Sequence, residues 1–224
     1  RVLPGNILKE LIDNDRIIGG MDPASSLQAK WFYEKFVNGE IRITDARTAE
    51  LCKLAENAYR DVNIAFANEL AAICEIFKID IWELIELANR HPRVNILKPG
   101  PGVGGHCIAV DPWFLIHGAP DVTKVIKAAR QVNDYRPECI YQKIKEKAAR
   151  FVDPVIACLG LAFKANVGDL RESPALKIVE MLIDNHIGTV MVVDPYVHSL
   201  PLKLRTEAVF TDWETAVDSA DLIV

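Results

Sequence analysis

The stretch Val155-Ile-Ala-Cys-Leu-Gly-Leu161 decides the fold class, because it is an apolar run short enough to be a buried strand. A helical pattern follows over Ala175–Asn185, and a second apolar run covers Thr189–Asp194. Strand, helix and strand in this order predict a parallel βαβ unit, which the helix Trp213–Ala220 and the strand Asp221–Val224 extend. The carboxyl-terminal part of the chain is therefore predicted to be an α/β domain with a doubly wound parallel sheet.

A long helical pattern, Thr48–Phe77, lies upstream of this unit. Apolar residues recur in it every three or four positions, and it contains neither Gly nor Pro. About thirty helical residues reach roughly 45 Å, a length typical of a spine between domains or of a subunit interface. Shorter helical patterns cover Ile81–Asn89, Val122–Asn133 and Glu138–Ala149, and Val94–Leu97 is predicted to be a weak strand.

Residues 1–43 are predicted to be the last part of another α/β unit. Short strands at Arg16–Ile18 and Glu40–Ile43 flank a helix at Ser25–Val37. The chain begins without Met and ends in an apolar run, so we expect it to be a fragment of a longer protein.

The composition excludes several classes of protein. Half of the 224 residues are hydrophobic and 25% are charged, as in ordinary globular domains. The apolar runs fall short of the ~18 residues that a membrane span needs. A net charge of −5, from 26 basic and 31 acidic residues, gives no electrostatic footprint for nucleic acid. Five cysteines without a C-x-x-C pair fit reduced thiols in a cytoplasmic protein better than a disulfide framework.

A glycine-rich loop precedes Cys107, and Gly100–Gly105 match the dinucleotide-binding pattern G-x-G-x-x-G letter for letter. That pattern needs a buried strand before the glycines and a helix that opens at the third one. Here only the weak strand Val94–Leu97 precedes it, and Pro112 follows soon after. We interpret the glycines instead as a means of bringing the backbone close to a ligand or of holding a positive φ.

Cys107 is the candidate nucleophile, because the loop before it offers open space and backbone N–H groups for a developing oxyanion. The alternative is a buried structural thiol, the usual fate of an isolated cysteine. The other four cysteines fall on apolar faces, Cys52 less clearly than the rest, and are predicted to be core residues. A metal site has little support, because His106 and Cys107 are adjacent and no spaced ligand set accompanies them.

Several basic and amide side chains could bind an anionic substrate. Lys53, Asn57 and Arg60 share one stripe of the long helix, and on spacing alone a solvated polar face is the better explanation of that stripe. His91 and Arg93 form a basic turn before the glycine loop, where an ordinary helix-ending turn is the alternative. Two further candidates follow the first strand of the βαβ unit, where open α/β sheets bind ligands: Lys164 and Arg171.

Four segments of the chain resemble the nucleotide-sugar 6-dehydrogenases, the family that contains the UDP-glucose and GDP-mannose dehydrogenases. They are Arg1-VLPG, Thr48-AELCKLAENAYRDVNIAFANELA, His91-PRVNILKPGPGVGGHCIAVDPW and Gly160-LAFKANVGDLRESPAL. The resemblance implies NAD-dependent, four-electron oxidation of a UDP-sugar at C6 for the synthesis of surface polysaccharide precursors. It favours UDP-N-acetyl-D-mannosamine as the substrate, with UDP-N-acetylglucosamine and UDP-glucose as alternatives.

The resemblance also implies a role for individual residues. Cys107 would be the catalytic thiolate that carries the substrate as a thiohemiacetal and a thioester, and Lys53 would stabilise the C6 oxyanion. Asn57 would be the hydrogen-bonding partner of that lysine, and Asp111 would be the carboxylate near the thiol. Arg171 would contact the NAD phosphates. The substrate-binding positions would be Arg1, Val2, Arg60, His91, Arg93, Gly104 and Lys164.

In family terms, three domains are expected: the end of an NAD-binding domain (1–43), a central helical dimerisation domain with the cysteine loop (44–135), and a truncated Rossmann-like UDP-sugar domain (136–224). Arg93 would reach the neighbouring subunit's site, which implies a homodimer through the central helices. Two alternatives stay open. One is a thiol hydrolase that pairs Cys107 with His91 or His106, and the other is a non-catalytic dimerisation or nucleotide-binding module.

Overall fold

The structure is a computed structural model that describes residues 6–224, so the expectations for Arg1 and Val2 lie outside the described residues. The chain divides into two compact units, one that ends at Glu56 and one that covers Asn57–Val224. No helix in the described part of the chain is both long and apolar enough to cross a membrane.

The first unit contains a parallel βαβ arrangement, as predicted. Its elements are α1 (Ile7–Asp13), β1 (Arg16–Gly20), α2 (Pro23–Tyr33) and β2 (Ile41–Asp45). β1 and β2 pair in parallel from Arg16 opposite Ile41 to Gly20 opposite Asp45. α2 begins at Asp22-Pro23, because the Asp22 carboxylate accepts a hydrogen bond from the Ser25 N–H at 2.7 Å and proline suits the first helical turn.

Four helices make up the middle of the chain: α3 (Ala46–Phe77), α4 (Ile81–Ala88), α5 (Asp111–Gly118) and α6 (Lys124–Ala148). α3 confirms the long helix and supplies residues to both units. The expectation of two helices over 122–149 is wrong, because α6 runs without a break through Pro137. Proline there removes one N–H from the helix ladder, and Pro137 is buried by its packing instead of ending the helix.

The strand expected at Val94–Leu97 does not form. The backbone N–H and carbonyl of Ile96 bond to the Asn89 side chain, at 2.7 and 3.0 Å. These two backbone groups therefore have hydrogen-bond partners without a neighbouring strand. α5 was not predicted from the pattern, since it is only eight residues long and begins at Asp111-Pro112.

The carboxyl-terminal part is the parallel α/β sheet that the sequence predicts. Its elements are β3 (Val155–Leu159), α7 (Pro174–Asp184), β4 (Thr189–Val193), α8 (Leu202–Glu207), β5 (Val209–Phe210), α9 (Trp213–Ser219) and β6 (Leu222–Ile223). The strand order is β5-β4-β3-β6 with every pair parallel, so the order reverses between β3 and β6. A ligand crevice is expected at the carboxyl ends of those two strands.

The core of this α/β region lies between the sheet, α7 and the end of α6. Its most deeply buried members include Ile156, Leu161, Val179, Leu182, Val190, Val192 and Leu204. Ser173 caps α7 and donates its hydroxyl to the carbonyl of Leu161 at 2.5 Å. This bond ties the start of α7 to the segment that follows β3, which carries Lys164 and Arg171.

Candidate active site

The glycine loop packs against the segment that follows β3. A Cβ on Gly104 would lie 2.5 Å from Cβ of Phe163 and 2.7 Å from the carbonyl oxygen of Glu172. Gly105 has a φ of +80° and donates its N–H to the carbonyl of Arg171 at 3.0 Å. The close approach that the glycines allow is therefore to the protein's own chain, and the expected positive φ is confirmed at Gly102 and Gly105.

The literal dinucleotide-binding motif does not have the structure that its function requires. No strand leads into Gly100–Gly105, and the next helix, α5, begins six residues after Gly105 at Asp111. The prediction that Gly100–Gly105 is not a dinucleotide-binding loop is therefore confirmed.

Cys107 lies in the turn that leads into α5, and its thiol is exposed. Its backbone carbonyl accepts hydrogen bonds from the N–H groups of Val110 (3.1 Å) and Asp111 (2.8 Å). The interpretation of Cys107 as a buried structural thiol is therefore wrong. Cys158, by contrast, is buried in β3, and desolvation raises the pKa of its thiol to about 12.

Asn57 on α3 and Asp111 at the start of α5 are joined by a hydrogen bond. The Asn57 side-chain amide donates to Asp111 Oδ2 at 2.5 Å, and Asn57 is 4% exposed. The interpretation of Asn57 as part of a solvated polar face is therefore wrong. The bond places the Asp111 carboxylate at the start of α5, one helical turn from Cys107.

The remaining predicted residues of the helices and the basic turn are exposed: Lys53, Arg60, His91 and Arg93. Lys53 precedes Asn57 by one turn of α3 but belongs to the first unit. His91 and Arg93 follow α4, and the Arg93 N–H donates to His91 Nδ1 at 3.3 Å. The roles of all four at a substrate site stay predictions.

Arg171 is held by Asp169 beside the cysteine loop. Its guanidinium donates from Nη2 to Asp169 Oδ2 at 2.6 Å and from Nε to Oδ1 at 3.0 Å. The hydrogen bonds from Arg171 and its charge, with a smaller effect from His106, lower the pKa of Asp169 to about 2. The same bonds raise the pKa of Arg171. The hydrogen bond from the Gly105 N–H to the Arg171 carbonyl places Arg171 beside the glycine loop. Lys164 is exposed on the same segment.

A cavity of about 420 Å³ opens where the strand order reverses. Gly160 and Val224, at the carboxyl ends of β3 and β6, form one side of it, and Gly100, Arg136 and Trp82 lie on others. Its position matches the crevice where open α/β sheets bind ligands. Among residues 6–224, no cluster of three His, Cys, Asp or Glu side chains could hold a metal ion.

Two domain descriptions of one family match the chain. The central domain of the UDP-glucose/GDP-mannose dehydrogenase family matches residues 47–135, and the UDP binding domain of the same family matches residues 157–224. Together they cover more than half of the chain. The chain belongs to the UDP-glucose/GDP-mannose dehydrogenase family.

Curated relatives resemble the chain over its whole length. It is 57% identical to the NDP-N-acetyl-D-galactosaminuronic acid dehydrogenase of Ralstonia nicotianae, aligning over 100% of this chain and 53% of the relative. It is 54% identical to the UDP-N-acetyl-D-mannosamine dehydrogenase of Campylobacter jejuni, over 100% of this chain and 55% of the relative. The chain thus spans about half the length of the curated relatives it matches.

A solved structure of a similar protein has the same fold. The UDP-D-ManNAc dehydrogenase of Pyrococcus horikoshii is 40% identical with a TM-score of 0.86, over 100% of this chain and 58% of that one. This match supports the assignment of a central helical domain followed by a parallel-sheet UDP binding domain.

Three polar residues of this site were not predicted from the sequence: Asn68, Asp169 and Arg136. Asn68 is buried on α3 and accepts the Gly100 N–H at 2.9 Å, and Arg136 Nε donates to the Gly100 carbonyl at 3.3 Å. A signal was available for Asn68, because it falls on the same helical face as Asn57. Asp169 precedes Arg171 by two residues, the spacing of a local side-chain pair.

Proposed function

We propose that the protein is an NAD-dependent nucleotide-sugar 6-dehydrogenase that oxidises UDP-N-acetyl-D-mannosamine to UDP-N-acetyl-D-mannosaminuronate. The observation that carries the proposal is the exposed Cys107, in the turn that leads to the Asn57–Asp111 pair, in a chain of the UDP-glucose/GDP-mannose dehydrogenase family. An exposed thiol between a glycine loop and a helix start suits covalent catalysis better than a structural role.

In the proposed mechanism, Cys107 acts on the aldehyde that the first oxidation forms. Its thiolate sulfur adds to C6, and the resulting thiohemiacetal oxygen takes a proton. Loss of a hydride from C6 and of the proton from oxygen converts the thiohemiacetal to a thioester. Water then breaks the C–S bond, which releases the carboxylate and the free thiol. Two NAD molecules, bound one after the other, would each accept one hydride. The covalent tether prevents the aldehyde from escaping between the two oxidations.

The residues around Cys107 are proposed to control charge and protons. Lys53 would stabilise the negative oxygen on C6, as cationic groups aimed at a developing oxyanion do. Asn57 and Asp111, bonded to each other, would orient that lysine and the water that cleaves the thioester.

The diphosphate and the sugar are proposed to contact basic side chains, one valine and one glycine. Arg and Lys are the usual partners of phosphate groups, which explains basic residues at this site in a chain of net charge −5. The proposed substrate contacts are Arg1, Val2, Arg60, His91, Arg93, Gly104 and Lys164.

Arg171 fits a contact with the NAD phosphates, because its exposed guanidinium is held in place by Asp169 and keeps a full positive charge. The βαβ arrangement of the first unit has no G-x-G-x-x-G loop between β1 and α2 in its described residues. Among residues 6–224, Arg171 is the residue assigned to the cofactor.

A second substrate deserves a parallel assay. The NDP-N-acetyl-D-galactosaminuronic acid dehydrogenase of Ralstonia nicotianae is 57% identical, against 54% for the Campylobacter jejuni mannosamine enzyme. UDP-N-acetylgalactosamine is therefore the second candidate. UDP-N-acetylglucosamine and UDP-glucose complete the set.

A homodimer through the central helices is part of the proposal. Apolar side chains on α3 stay exposed at intervals of about seven residues, as on a helix that pairs with another helix. They are Tyr59, Phe66 and Ile73. Sedimentation equilibrium of the wild-type protein and of Phe66→Glu tests it, because a charge within the interface should shift the population toward monomer.

The decisive experiment measures NADH and uronate from each UDP-sugar with the product of the complete reading frame. We expect about two NADH for each uronate, and at least a ~1000-fold loss of uronate formation in Cys107→Ser. Cys139→Ser, on α6, is the matched control and should stay active. A ratio near one would refute the thioester route, and full activity in Cys107→Ala would favour the non-catalytic module. Acylation of Cys107 by simple esters without NAD would favour the thiol hydrolase.

A further inference from the structure

Three polar residues form a buried stripe along α3. Asn57, Asp61 and Asn68 are spaced four and seven residues apart, which puts them on one face of a helix. All three are buried, with exposures of 4%, 0% and 1%. Buried amides and carboxylates are rare unless their hydrogen bonds are used, so this stripe calls for a reason.

The two ends of the stripe hold the two ends of the cysteine loop. At one end, Asn57 donates to Asp111 at 2.5 Å, four residues after Cys107. At the other end, the Asn68 side-chain oxygen accepts the N–H of Gly100 at 2.9 Å, seven residues before Cys107. One helix therefore fixes the loop on both sides of the thiol.

The orientation of the Asn68 amide is set by a chain of buried hydrogen bonds. Its nitrogen donates to Asn133 Oδ1 at 3.1 Å, which leaves its oxygen for Gly100. Asn133 in turn donates to Asp61 Oδ1 at 2.8 Å and to the Asp61 carbonyl at 3.0 Å. Arg130 binds the same Asp61 oxygen at 2.5 Å. Each amide in this chain has one orientation in which its bonds are made.

A second side chain, from α6, bonds to the next peptide group of the same residue, Gly100. Arg136 Nε donates to the Gly100 carbonyl at 3.3 Å, so both polar groups of Gly100 are bonded to side chains of different helices. Gly100 has no Cβ that could be packed in place, and these two bonds are what anchor it.

We propose that Asn68 is a positioning residue for Cys107, which fixes the amino-terminal end of the cysteine loop as Asn57 fixes its other end. This inference rests on the proposed function, in which Cys107 is the nucleophile. Asn68 acts through the backbone and touches no substrate. Its loss would let the loop sample positions in which the thiol is out of line with C6, and small misplacements of reacting groups cost up to ~100-fold in rate.

The test compares Asn68→Ala with Asn63→Ala in the product of the complete reading frame. Asn63 is the matched control, because it is on the same helix and bonds only to the Tyr59 carbonyl among its described contacts. We expect amide hydrogen exchange over residues 99–107 to speed up about tenfold or more in Asn68→Ala, because a local opening is easier once an anchor is lost. We expect kcat to fall by about tenfold or more.

Arg136→Gln is the second variant and protects the test against misfolding of Asn68→Ala. It removes the second bond to Gly100, from a half-buried side chain, so a smaller change in the same direction is expected in both readouts. A general loss of stability would speed exchange throughout the chain, whereas the positioning role changes residues 99–107 selectively.

Two results overturn the inference: wild-type exchange over residues 99–107 in Asn68→Ala, or faster exchange there with an unchanged kcat. Cys107→Ser, assayed alongside, separates the two proposals. If Cys107→Ser is as active as the wild type, the proposed function fails. If it is inactive while Asn68→Ala matches Asn63→Ala, only the positioning role fails.

Discussion

Cys107 and Cys158 differ in their exposure to solvent. Cys107 is exposed in a turn, whereas Cys158 is enclosed by the sheet and α7. Burial raises the pKa of the Cys158 thiol to about 12, because a thiolate there would lose its hydration. Reactivity should therefore separate the two residues cleanly.

Brief treatment with iodoacetamide at pH 8 should alkylate Cys107 and leave Cys158 unmodified, since the buried thiol is both shielded and protonated. Peptide mass spectrometry of the folded protein measures the modified fraction of each cysteine. Denatured protein is the control, in which both should react. Modification of Cys158 before Cys107 in the folded chain would contradict the described burial.

Gly104 has no space for a side chain. In Gly104→Ala the new methyl group would meet Phe163 and the Glu172 carbonyl at distances well below contact, so the loop must move away from the segment after β3. We expect a loss of about 1–3 kcal/mol in the free energy of unfolding, measured by urea denaturation. Gly118→Ala is the matched control, because nothing lies within 4 Å of that position and alanine suits a helix end. Equal stability in the two variants would contradict this packing.

At the scale of elements, α3 and α6 are joined by a buried ion pair. Arg130 and Asp61 are 2% and 0% exposed in their side chains and lie 2.5 Å apart, and Arg130 also binds Asp134 at the edge of the pair. Burial raises the pKa of Asp61 even though Arg130 and Asn133 oppose the shift. A pair of this kind contributes little net stability but is costly to break on one side only.

Arg130→Met should therefore destabilise the protein by about 3–5 kcal/mol, because it leaves the Asp61 carboxylate buried without its cation. The double variant Asp61→Asn/Arg130→Met should recover a large part of that loss, since the buried charge is gone. Arg150→Met, at an exposed site after α6, serves as the control. Chemical denaturation at pH 7 measures all four proteins, and a double variant less stable than Arg130→Met would count against the account.

The stability of the whole molecule should depend on pH through Asp169. Its pKa is about 2 when folded, mainly because of Arg171, and near the ordinary value of ~4 when unfolded. A carboxyl group with a lowered folded pKa stabilises the protein above pH ~4, and that contribution disappears as the pH falls from about 4 to about 2.

Asp169→Asn should thus be less stable than the wild type at pH 7, by under ~1 kcal/mol because the pair is partly exposed. The difference should shrink to nothing by about pH 2. Thermal unfolding across pH 2–7 measures it, with Asp218→Asn, an exposed carboxylate on α9, as the control. A difference that grows on acidification would reverse the sign and refute the argument.

Patterns within one element were enough to predict the βαβ units and the long helix. The apolar run 155–161 predicts a buried strand, and the strand that forms covers Val155–Leu159. What could not be predicted depends on contacts between distant segments. The Asn89 side chain bonds to the backbone of Ile96, and the strand expected at Val94–Leu97 does not form. Packing keeps α6 continuous through Pro137. Gly104 shows the same limit, because its need for glycine comes from Phe163.

The conformation of the cysteine loop depends on contacts with other parts of the chain. Within α6 alone, three neighbours support it: Arg136 bonds to the Gly100 carbonyl, and the Asn133 carbonyl and Pro137 lie against Gly102. Because proline lacks an N–H, it leaves that Asn133 carbonyl without its usual helical donor, at the place where Gly102 comes close. A grafted copy of residues 98–111 would therefore need Asn68 and residues 133–137 as well. To place a cysteine loop of this kind in another protein, a designer should first reproduce the contacts from α3 and α6, and only then the glycine pattern.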